Sequence, residues 1–242
     1  MSTFQVCNTV GEVVTRHPGL SRYFETAGID YCCGGKKTLE RVCQEKGLDP
    51  QALLNDLEES ASVPSQKATD DPASMSLTEL ADHIVKTHHD YLRKEFRRLD
   101  EMTAKVASAH GKSDARLHSV RHTFLAMAQE MSCHMLKEEQ ILFPMIRQLD
   151  VSQTPVAFHC GTLANPIRQM ELEHHEAGDS LVRLRELTDC YMPPDWACNT
   201  YRAMLHALAQ LEGDMHLHVH KEDNILFPRA LQREAELAGK ES

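Results

Sequence analysis

One short segment occurs twice in this 242-residue chain, and it limits the folds that the chain can adopt. The two copies read His134-Met-Leu-Lys-Glu-Glu-Gln-Ile-Leu-Phe-Pro144 and His218-Val-His-Lys-Glu-Asp-Asn-Ile-Leu-Phe-Pro228. In each copy a histidine and a glutamate are four residues apart, so on a helix both side chains project from one face about one turn apart. At that spacing an imidazole and a carboxylate can approach the same metal ion.

The apolar residues around each copy indicate which way the pair faces. Positions 120, 124, 127, 131, 134, 138 and 141 form one helical stripe, and positions 201, 205, 208, 215, 218, 222 and 225 form another. Both pairs therefore lie at predicted core positions. The alternative is that these residues lie on solvated helix faces, as most helical histidines and glutamates do. It is disfavoured for two matching pairs, because buried ionisable groups are costly without a compensating cation.

Long amphipathic helices are predicted after residue 76. Apolar spacing indicates a first helix that ends before His110-Gly111 and a second that breaks near Asp150 to Pro155. A third stops at Pro193-Pro194, and a fourth starts beside Asp195. Short connections between such helices favour an up-and-down four-helix bundle. No strand-like alternation competes, so the predicted fold class is all-α.

The first and third predicted helices carry further histidines at matching depth. Position 174 continues the stripe 163, 167, 170, 174, 178 and 181, which favours His174 over His175 as the inward residue. On the first helix the stripe does not separate His88 from His89. The remaining histidines are expected to be exposed or to lie just outside the ligand set; they include His83, His175, His216 and His220.

Histidines from all four helices, together with Glu138 and Glu222, would suit two metal ions, with each glutamate bridging through its two oxygens. Imidazole and carboxylate ligands without thiolate are compatible with iron, manganese or zinc. Six protein ligands leave positions open for water, oxide, dioxygen or nitric oxide. This favours a redox-active iron pair over a closed structural zinc site.

The stretch before the bundle predicts a separate small domain. Residues 60–76 are small and polar and include two prolines, which is typical of a linker. The predicted division is a small helical domain at 1–60, a linker at 61–76 and the bundle at 77–242. Short helical patterns precede the linker at 10–14, 20–24, 39–46 and from Pro50 onward. A domain of about 60 residues is marginal alone, which makes a homodimer reasonable.

The small domain contains the turn Cys32-Cys33-Gly34-Gly35. Adjacent thiols on a turn permitted by glycine are expected to be exposed and reactive, and the lysines that follow, at 36 and 37, would favour thiolate. Cys32 and Cys33 are therefore candidate catalytic residues. The alternative is a pair of small buried residues at a helix start.

The composition of the chain restricts which compartment and which partners we expect. No apolar run approaches the roughly 18 residues needed to cross a bilayer, and the first twenty residues lack a secretory-signal pattern, so we expect a cytoplasmic protein. Eight cysteines are then expected to remain thiols, metal ligands or redox groups rather than disulfides. A net charge of −10 argues against nucleic acid as a partner.

These motifs resemble the hemerythrin-like bundle, and more closely the repair-of-iron-centres family of bacterial di-iron proteins. The resemblance covers nearly the whole chain, and its most specific segments are 30–36, 137–144, 173–178 and 224–230. It selects His89 over His88 through the segment 82–90, and it implies two iron ions bridged by carboxylate and by an oxo group. The ligands that it implies are His89, His134, Glu138, His174, His218 and Glu222. The chain departs from the family in having His175 where relatives often carry aspartate.

The resemblance implies a stress protein that repairs iron–sulfur clusters after nitrosative or oxidative damage, by supplying iron or by removing nitric oxide. A nitric oxide-reducing activity would be compatible with such a centre. The implied partners are damaged iron–sulfur proteins, with nitric oxide or dioxygen as a small ligand. By the same resemblance, the Cys32-Cys33 turn would present thiols toward the iron site or a client protein. The alternatives are a nitric oxide or dioxygen storage protein without turnover, and a zinc-stabilised structural module.

Overall fold

The computed structural model describes residues 3–62 and 71–239, and helices dominate both ranges. The α-helices are α1 (Val10–Arg16), α2 (Ser21–Thr26), α3 (Leu39–Lys46), α4 (Pro50–Ser62), α5 (Leu77–Ile84), α6 (Asp90–His110), α7 (Arg116–Lys137), α8 (Phe143–Val151), α9 (Ala164–Leu187), α10 (Asn199–Lys221) and α11 (Phe227–Ala238). Three π-helical turns lie between these helices, at Val85–His89, Glu138–Leu142 and Glu222–Leu226. No strand occurs within the two described ranges, and the prediction of an all-α fold is confirmed.

Two compact units make up the chain. The first contains the described residues up to Ala81 together with residues 146–156 and those from His216 onward. The second contains residues 82–145 and 157–215. Helix α10 contributes its amino-terminal part to the second unit and its last turns to the first.

The second unit is a bundle built on α6, α7, α9 and α10. Each helix contributes fully buried apolar side chains to one core, including Leu99, Phe124, Leu184 and Leu208. These residues recur at the three- and four-residue spacing that gives an amphipathic helix its apolar face. Burying a side chain of this size contributes about 1.5–3 kcal/mol to stability, so the shared core holds the four helices in place.

The first unit has its own core around the amino-terminal helices. Val10, Phe24, Leu39 and Leu57 are completely buried there. Helix α1 begins with a capping box, because the Thr9 hydroxyl accepts the amide proton of residue 12 at 3.2 Å and the Glu12 carboxylate accepts that of residue 9 at 3.1 Å. The short helices predicted in this part of the sequence are observed.

The predicted linker lies partly outside the described residues, since the structure does not describe 63–70. Of the remainder, residues 61–62 belong to the end of α4 rather than to a linker, residues 72–74 form a turn, and Ser76 lies immediately before α5. The Ser76 hydroxyl accepts the Glu79 amide proton at 3.1 Å, while the Glu79 carboxylate accepts the Ser76 amide proton at 2.8 Å. This reciprocal pair stabilises the first turn of α5.

Helix α9 ends at Leu187, well before the Pro193 stop that the sequence predicts. Three consecutive residues, Asp189, Cys190 and Tyr191, adopt left-handed backbone conformations with φ of 49°, 58° and 61°. Such conformations cost roughly 1–2 kcal/mol each for residues other than glycine. Backbone amides help to hold the turn: that of Cys190 donates to the carbonyl of residue 185 at 2.8 Å, and that of Tyr191 donates to the side-chain hydroxyl of Thr188 at 3.2 Å.

In the described ranges no helix combines the length and apolar character needed to span a membrane.

Candidate metal centre

Four of the six predicted ligands come together inside the second unit. His89 ends the first π turn, His134 lies in the last turn of α7, Glu138 begins the second π turn and His174 lies in the middle of α9. All four side chains have 0% relative exposure. Groups of this kind are stable at such burial only when other groups or an ion satisfy them, because desolvating a charge is costly.

The two oxygens of Glu138 face two different imidazoles. Its Oε2 lies 3.4 Å from His89 Nε2, and its Oε1 lies 3.3 Å from His134 Nε2. A carboxylate that bridges two metal ions presents one oxygen to each ion. The geometry of Glu138 therefore fits a bridging ligand.

His134 and His174 converge on one point from two helices. Their Nε2 atoms are 3.0 Å apart, and one ligand atom from each lies within 4.8 Å of a Glu138 oxygen. The opposite nitrogen of His134, Nδ1, donates to Glu173 Oε2 at 2.9 Å. Hydrogen bonds from His134, Lys137 and Gln169 lower the pKa of Glu173 to about 2, so this carboxylate is charged and accepts the Nδ1 proton. That tautomer leaves the Nε2 lone pair of His134 directed inward.

His89 is held in the same way by a different carboxylate. Its Nδ1 donates to Glu139 Oε1 at 2.7 Å, and Arg93 binds the same oxygen. Burial would raise the pKa of Glu139, but the hydrogen bonds from His89 and Arg93 outweigh it and lower the pKa. The ring of His89 also stacks on Phe143 with 5.8 Å between centroids. These contacts fix its Nε2 on the side of Glu138.

The electrostatics of this group favour a bound cation. Burial alone would lower the pKa of His134, but Glu138 and Glu173 outweigh it and raise the pKa. Without a metal ion, the buried cluster thus favours positive charge in the form of a proton on His134. A metal cation would supply the same charge while using the inward lone pairs.

The other two predicted ligands form a matching pair in the first unit. His218 Nε2 lies 3.0 Å from Glu222 Oε1, and both side chains have 0% relative exposure. His134 and Glu138 show the same relation at 3.3 Å. The repeated sequence segment therefore produces a repeated local geometry.

The Cys32-Cys33 turn differs from its prediction. Cys32 is buried, with 7% exposure, whereas Cys33 is half-buried. The hydrogen bond with Cys33, burial and the carboxylate of Asp30 raise the pKa of the Cys32 thiol, so the expectation of an exposed thiolate is wrong for Cys32. Lys37 does not offset this, because it pairs with Glu45 at 2.7 Å. The sequence contained a signal for this raised pKa, because Asp30 lies two residues before Cys32. The prediction relied instead on the lysines that follow the turn.

Comparison with known proteins places these features in a family. Residues 80–230 match the family described as "Hemerythrin HHE cation binding domain", and residues 7–61 match ScdA_N, described as a domain of unknown function. The iron-sulfur cluster repair protein YtfE of Enterobacter sp. (strain 638) is 37% identical over 225 residues, covering 93% of this chain and 97% of the relative. The YtfE proteins of Citrobacter koseri, at 36%, and of Escherichia coli O8 (strain IAI1), at 37%, match with the same coverage. The chain belongs to this hemerythrin-like repair family.

Membership of the family identifies the kind of centre. The cation-binding domain spans 80–230 and so contains all six predicted ligands. A buried cluster of histidines and glutamates in that domain fits a non-haem di-iron centre. The family and the buried cluster together confirm the prediction of two iron ions as the cofactor.

Two buried histidines outside the predicted ligand set have clear partners. His88 is 2% exposed, and its Nδ1 lies 2.9 Å from Asp214 Oδ1, away from the His89 contacts. His220 is 4% exposed, with Nδ1 3.3 Å from the carbonyl oxygen of Tyr31 and Nε2 3.4 Å from the Thr15 hydroxyl. Burial lowers the pKa of His220 to about 4, so its ring is neutral at pH 7. His175, by contrast, is exposed, as expected.

Three of the predicted ligands lie at the ends of π turns, and the sequence pattern did not predict these turns. His89 closes one π turn, while Glu138 and Glu222 open the other two. A π turn inserts one residue into a helix and is frequent at functional sites. Pro144 and Pro228 were a partial signal for the last two, because proline cannot donate the ordinary helical hydrogen bond.

Proposed function

We propose that this protein repairs iron–sulfur clusters damaged by nitrosative or oxidative stress, using a di-iron centre. The shared name of the relatives supports the reaction and favours it over the storage alternative. The observation that carries the proposal is the placement of Glu138, whose oxygens face two different histidines. The six proposed ligands are His89, His134, Glu138, His174, His218 and Glu222.

The contacts support a division of the ligands between two ions. His134 and His174 would bind one ion, His89 would bind the other, and Glu138 would bridge them. His218 and Glu222 repeat the spacing and local geometry of His134 and Glu138. That repetition supports Glu222 as a second bridge and His218 as the remaining terminal ligand.

Bound iron would supply one-electron redox chemistry and open positions for a small ligand such as nitric oxide or dioxygen. The chain's own residues prepare the site for it. Glu173 and Glu139 hold the outer protons of His134 and His89, which keeps the inner nitrogens available. Complete burial of the ligands excludes bulk water and strengthens each electrostatic contact.

Repair by this centre can follow two routes, namely supply of iron to the damaged cluster or removal of nitric oxide from it. Both routes require damaged iron–sulfur proteins as partners. All eight cysteines are free thiols, which supports the cytoplasm as the compartment. Cys32 and Cys33 remain candidate catalytic residues in this proposal, and a homodimer remains the proposed assembly.

A repair assay with matched variants tests the proposal. Iron-loaded protein, carrying a stable iron isotope, is incubated anaerobically with a [4Fe–4S] protein that nitric oxide has damaged, and cluster absorbance is followed. The Glu138→Leu protein should lose its iron, because the change removes a metal ligand. Its rate of cluster repair should fall at least about tenfold. Glu130→Leu changes an exposed glutamate on α7 and should behave as the parent protein.

The outcome also separates the routes. Isotope in the restored cluster supports supply of iron, whereas restoration without isotope and with loss of nitric oxide supports removal. Full repair by a Glu138→Leu protein that has lost its iron but keeps its helical content would contradict the proposed function.

A further inference from the structure

A second group of potential metal ligands lies in the amino-terminal turn, apart from the six histidines and glutamates. Asp30, Cys32 and Cys33 each offer one ligand atom, and these atoms all lie within 4.8 Å of one another. The set contains two sulfur atoms and one carboxylate oxygen. Thiolates of this kind select zinc, iron and other transition metals over magnesium and calcium.

The distances within the group fit a tetrahedral ion. Two thiolates bound to one ion at about 2.3 Å with tetrahedral angles lie about 3.8 Å apart. The Sγ atoms of Cys32 and Cys33 are 3.9 Å apart, so binding requires almost no movement of the sulfurs. Asp30 Oδ1 lies 3.1 Å from Cys32 Sγ, and a carboxylate oxygen of Asp30 also lies within 4.8 Å of the Cys33 sulfur.

Backbone groups hold the Asp30 carboxylate in position beside the thiols. The amide of Cys32 donates to Asp30 Oδ1 at 2.9 Å, and the amide of Gly34 donates to Oδ2 at 2.8 Å. A side chain at residue 34 would place its Cβ 3.0 Å from Asp30 Oδ2 and 2.8 Å from the Asp30 carbonyl oxygen. Glycine at this position therefore allows the close approach that orients the carboxylate.

A second contact fixes the turn from the other side. Asn224 Nδ2 donates to the carbonyl oxygen of Cys32 at 2.9 Å. A Cβ at residue 35 would meet Asn224 Oδ1 and would lie 2.7 Å from the carbonyl oxygen of Tyr31. The turn is thus held before any ion binds, which reduces the conformational entropy that binding must overcome.

We propose that Asp30, Cys32 and Cys33 bind one divalent transition-metal ion, Zn²⁺ or Fe²⁺, as a site separate from the di-iron centre. Each thiol loses its proton to solvent when its sulfur bonds the ion, and no redox change occurs. Asp30 is exposed and Cys33 is half-buried, so the fourth position of the ion faces solvent. An open position of this kind suits an ion that exchanges, rather than a closed structural site. This site does not rest on the proposed repair function.

Cobalt is a probe that reports the two kinds of site separately. Co²⁺ is added anaerobically to the iron-loaded full-length protein, and cobalt-edge X-ray absorption identifies sulfur among the neighbours of cobalt. The six-ligand centre contains no sulfur, so Co–S scattering reports only thiolate sites. We expect about one thiolate-bound cobalt per chain, and displacement of that cobalt by Zn²⁺ or Fe²⁺. The metal that displaces it at the lower concentration is the preferred ion.

Variants assign the signal to the turn. Cys32→Ser and Cys33→Ser should each abolish the two-sulfur cobalt signal, and Asp30→Asn should weaken cobalt binding about tenfold. Cys7→Ser, which changes an exposed cysteine in the same unit, should leave the signal unchanged. Absence of Co–S scattering in the parent protein, or persistence of the two-sulfur signal in Cys33→Ser, would overturn the site. Iron retained at the six-ligand centre in every variant keeps this result distinct from failure of the repair proposal.

Discussion

At the scale of single residues, two of the proposed histidine ligands are held by carboxylates that contact their Nδ1 atoms. Glu173 accepts the Nδ1 proton of His134 and is itself held by Lys137 and Gln169. Glu173→Gln removes the negative charge while keeping the shape of the side chain, so it should loosen the tautomer and orientation of His134. We expect iron affinity to fall about 10- to 100-fold, measured by competition with a chelator.

Glu176 provides the control for this change, because it lies on the same helix and is exposed. Glu176→Gln should retain iron as the parent protein does. Equal iron retention in the two variants would show that Glu173 does not act on the metal through His134.

Gly35 is a second residue whose identity is set by close approach. An added methyl group would meet the side-chain oxygen of Asn224 and the carbonyl oxygen of Tyr31. Gly35→Ala should therefore lower the free energy of unfolding by about 1–3 kcal/mol, as overpacking does, measured by urea denaturation. A Cβ added at Gly213, inside α10, would instead meet no atom of the described residues outside its own helix within 4 Å. Gly213→Ala should raise that free energy by about 0.5–1 kcal/mol, and a loss in both variants would contradict the steric explanation.

At the scale of elements, the π turn at Glu138–Leu142 explains where the sequence pattern of this segment succeeded and where it failed. The stripe through residues 120–138 predicted burial correctly, and Phe124, His134 and Glu138 are all completely buried. The stripe then predicted burial of Ile141, which is wrong: Ile141 is 47% exposed and Leu142 is 1% exposed. The extra residue of the π turn advances the buried face by one position, and a periodicity of 3.6 does not include such an insertion.

The π turn at Val85–His89 contains the two neighbouring histidines, His88 and His89. The stripe could not separate His88 from His89, and both are in fact buried, one against Asp214 and the other against Glu138 and Glu139. Widening the helix by one residue lets neighbouring positions both point into the protein. The family resemblance implied His89 as the ligand. The contacts in the folded protein show that the two rings have different partners.

Substitutions in the second π turn test this shift of phase. Leu142→Ala should lower the free energy of unfolding by about 2–5 kcal/mol, because it removes a buried side chain and leaves a cavity. Ile141→Ala removes a half-exposed side chain and should change stability by about 0.5 kcal/mol or less. Urea denaturation of the metal-free proteins measures both values. A larger loss of stability in Ile141→Ala than in Leu142→Ala would support the uninterrupted helix that the sequence pattern predicted.

Local electrostatics were harder to predict than helices. The helical segments follow from apolar spacing that extends over many residues, as in α6, α7 and α10. The raised pKa of the Cys32 thiol depends on the sulfur of Cys33, on burial of the side chain and on the carboxylate of Asp30. Lys36 and Lys37 follow closely in the sequence and suggested that the pKa of this thiol would be lowered. Charges act over a few ångströms in three dimensions, so their balance appears only once the turn is folded.

At the scale of the whole molecule, the repeated segment connects sequence to stability. Two copies of one pattern predicted two buried His–Glu pairs, and each compact unit contains one such pair. Each unit also has its own apolar core. The six proposed ligands are not part of those apolar cores, so we expect bound metal to offset the free-energy cost of burying them.

Removal of iron should therefore lower the thermal stability of the second unit, and the chain contains a convenient reporter. Trp196, the single tryptophan, lies in that unit with its ring 5.7 Å from the ring of His110. A ligand present at 100 times its dissociation constant stabilises the folded state by about 2.7 kcal/mol. In a unit of this size about 4 °C corresponds to each kcal/mol, so the tryptophan-detected midpoint should fall by about 10 °C on iron removal. His175→Ala, which changes an exposed imidazole, should show the same fall as the parent protein. In His174→Ala the iron-dependent difference should be much smaller, because His134 and Glu138 lose the partner that completes their ion. A midpoint independent of iron in the parent protein would mean that the buried imidazoles and carboxylates of this unit are stable without a cation.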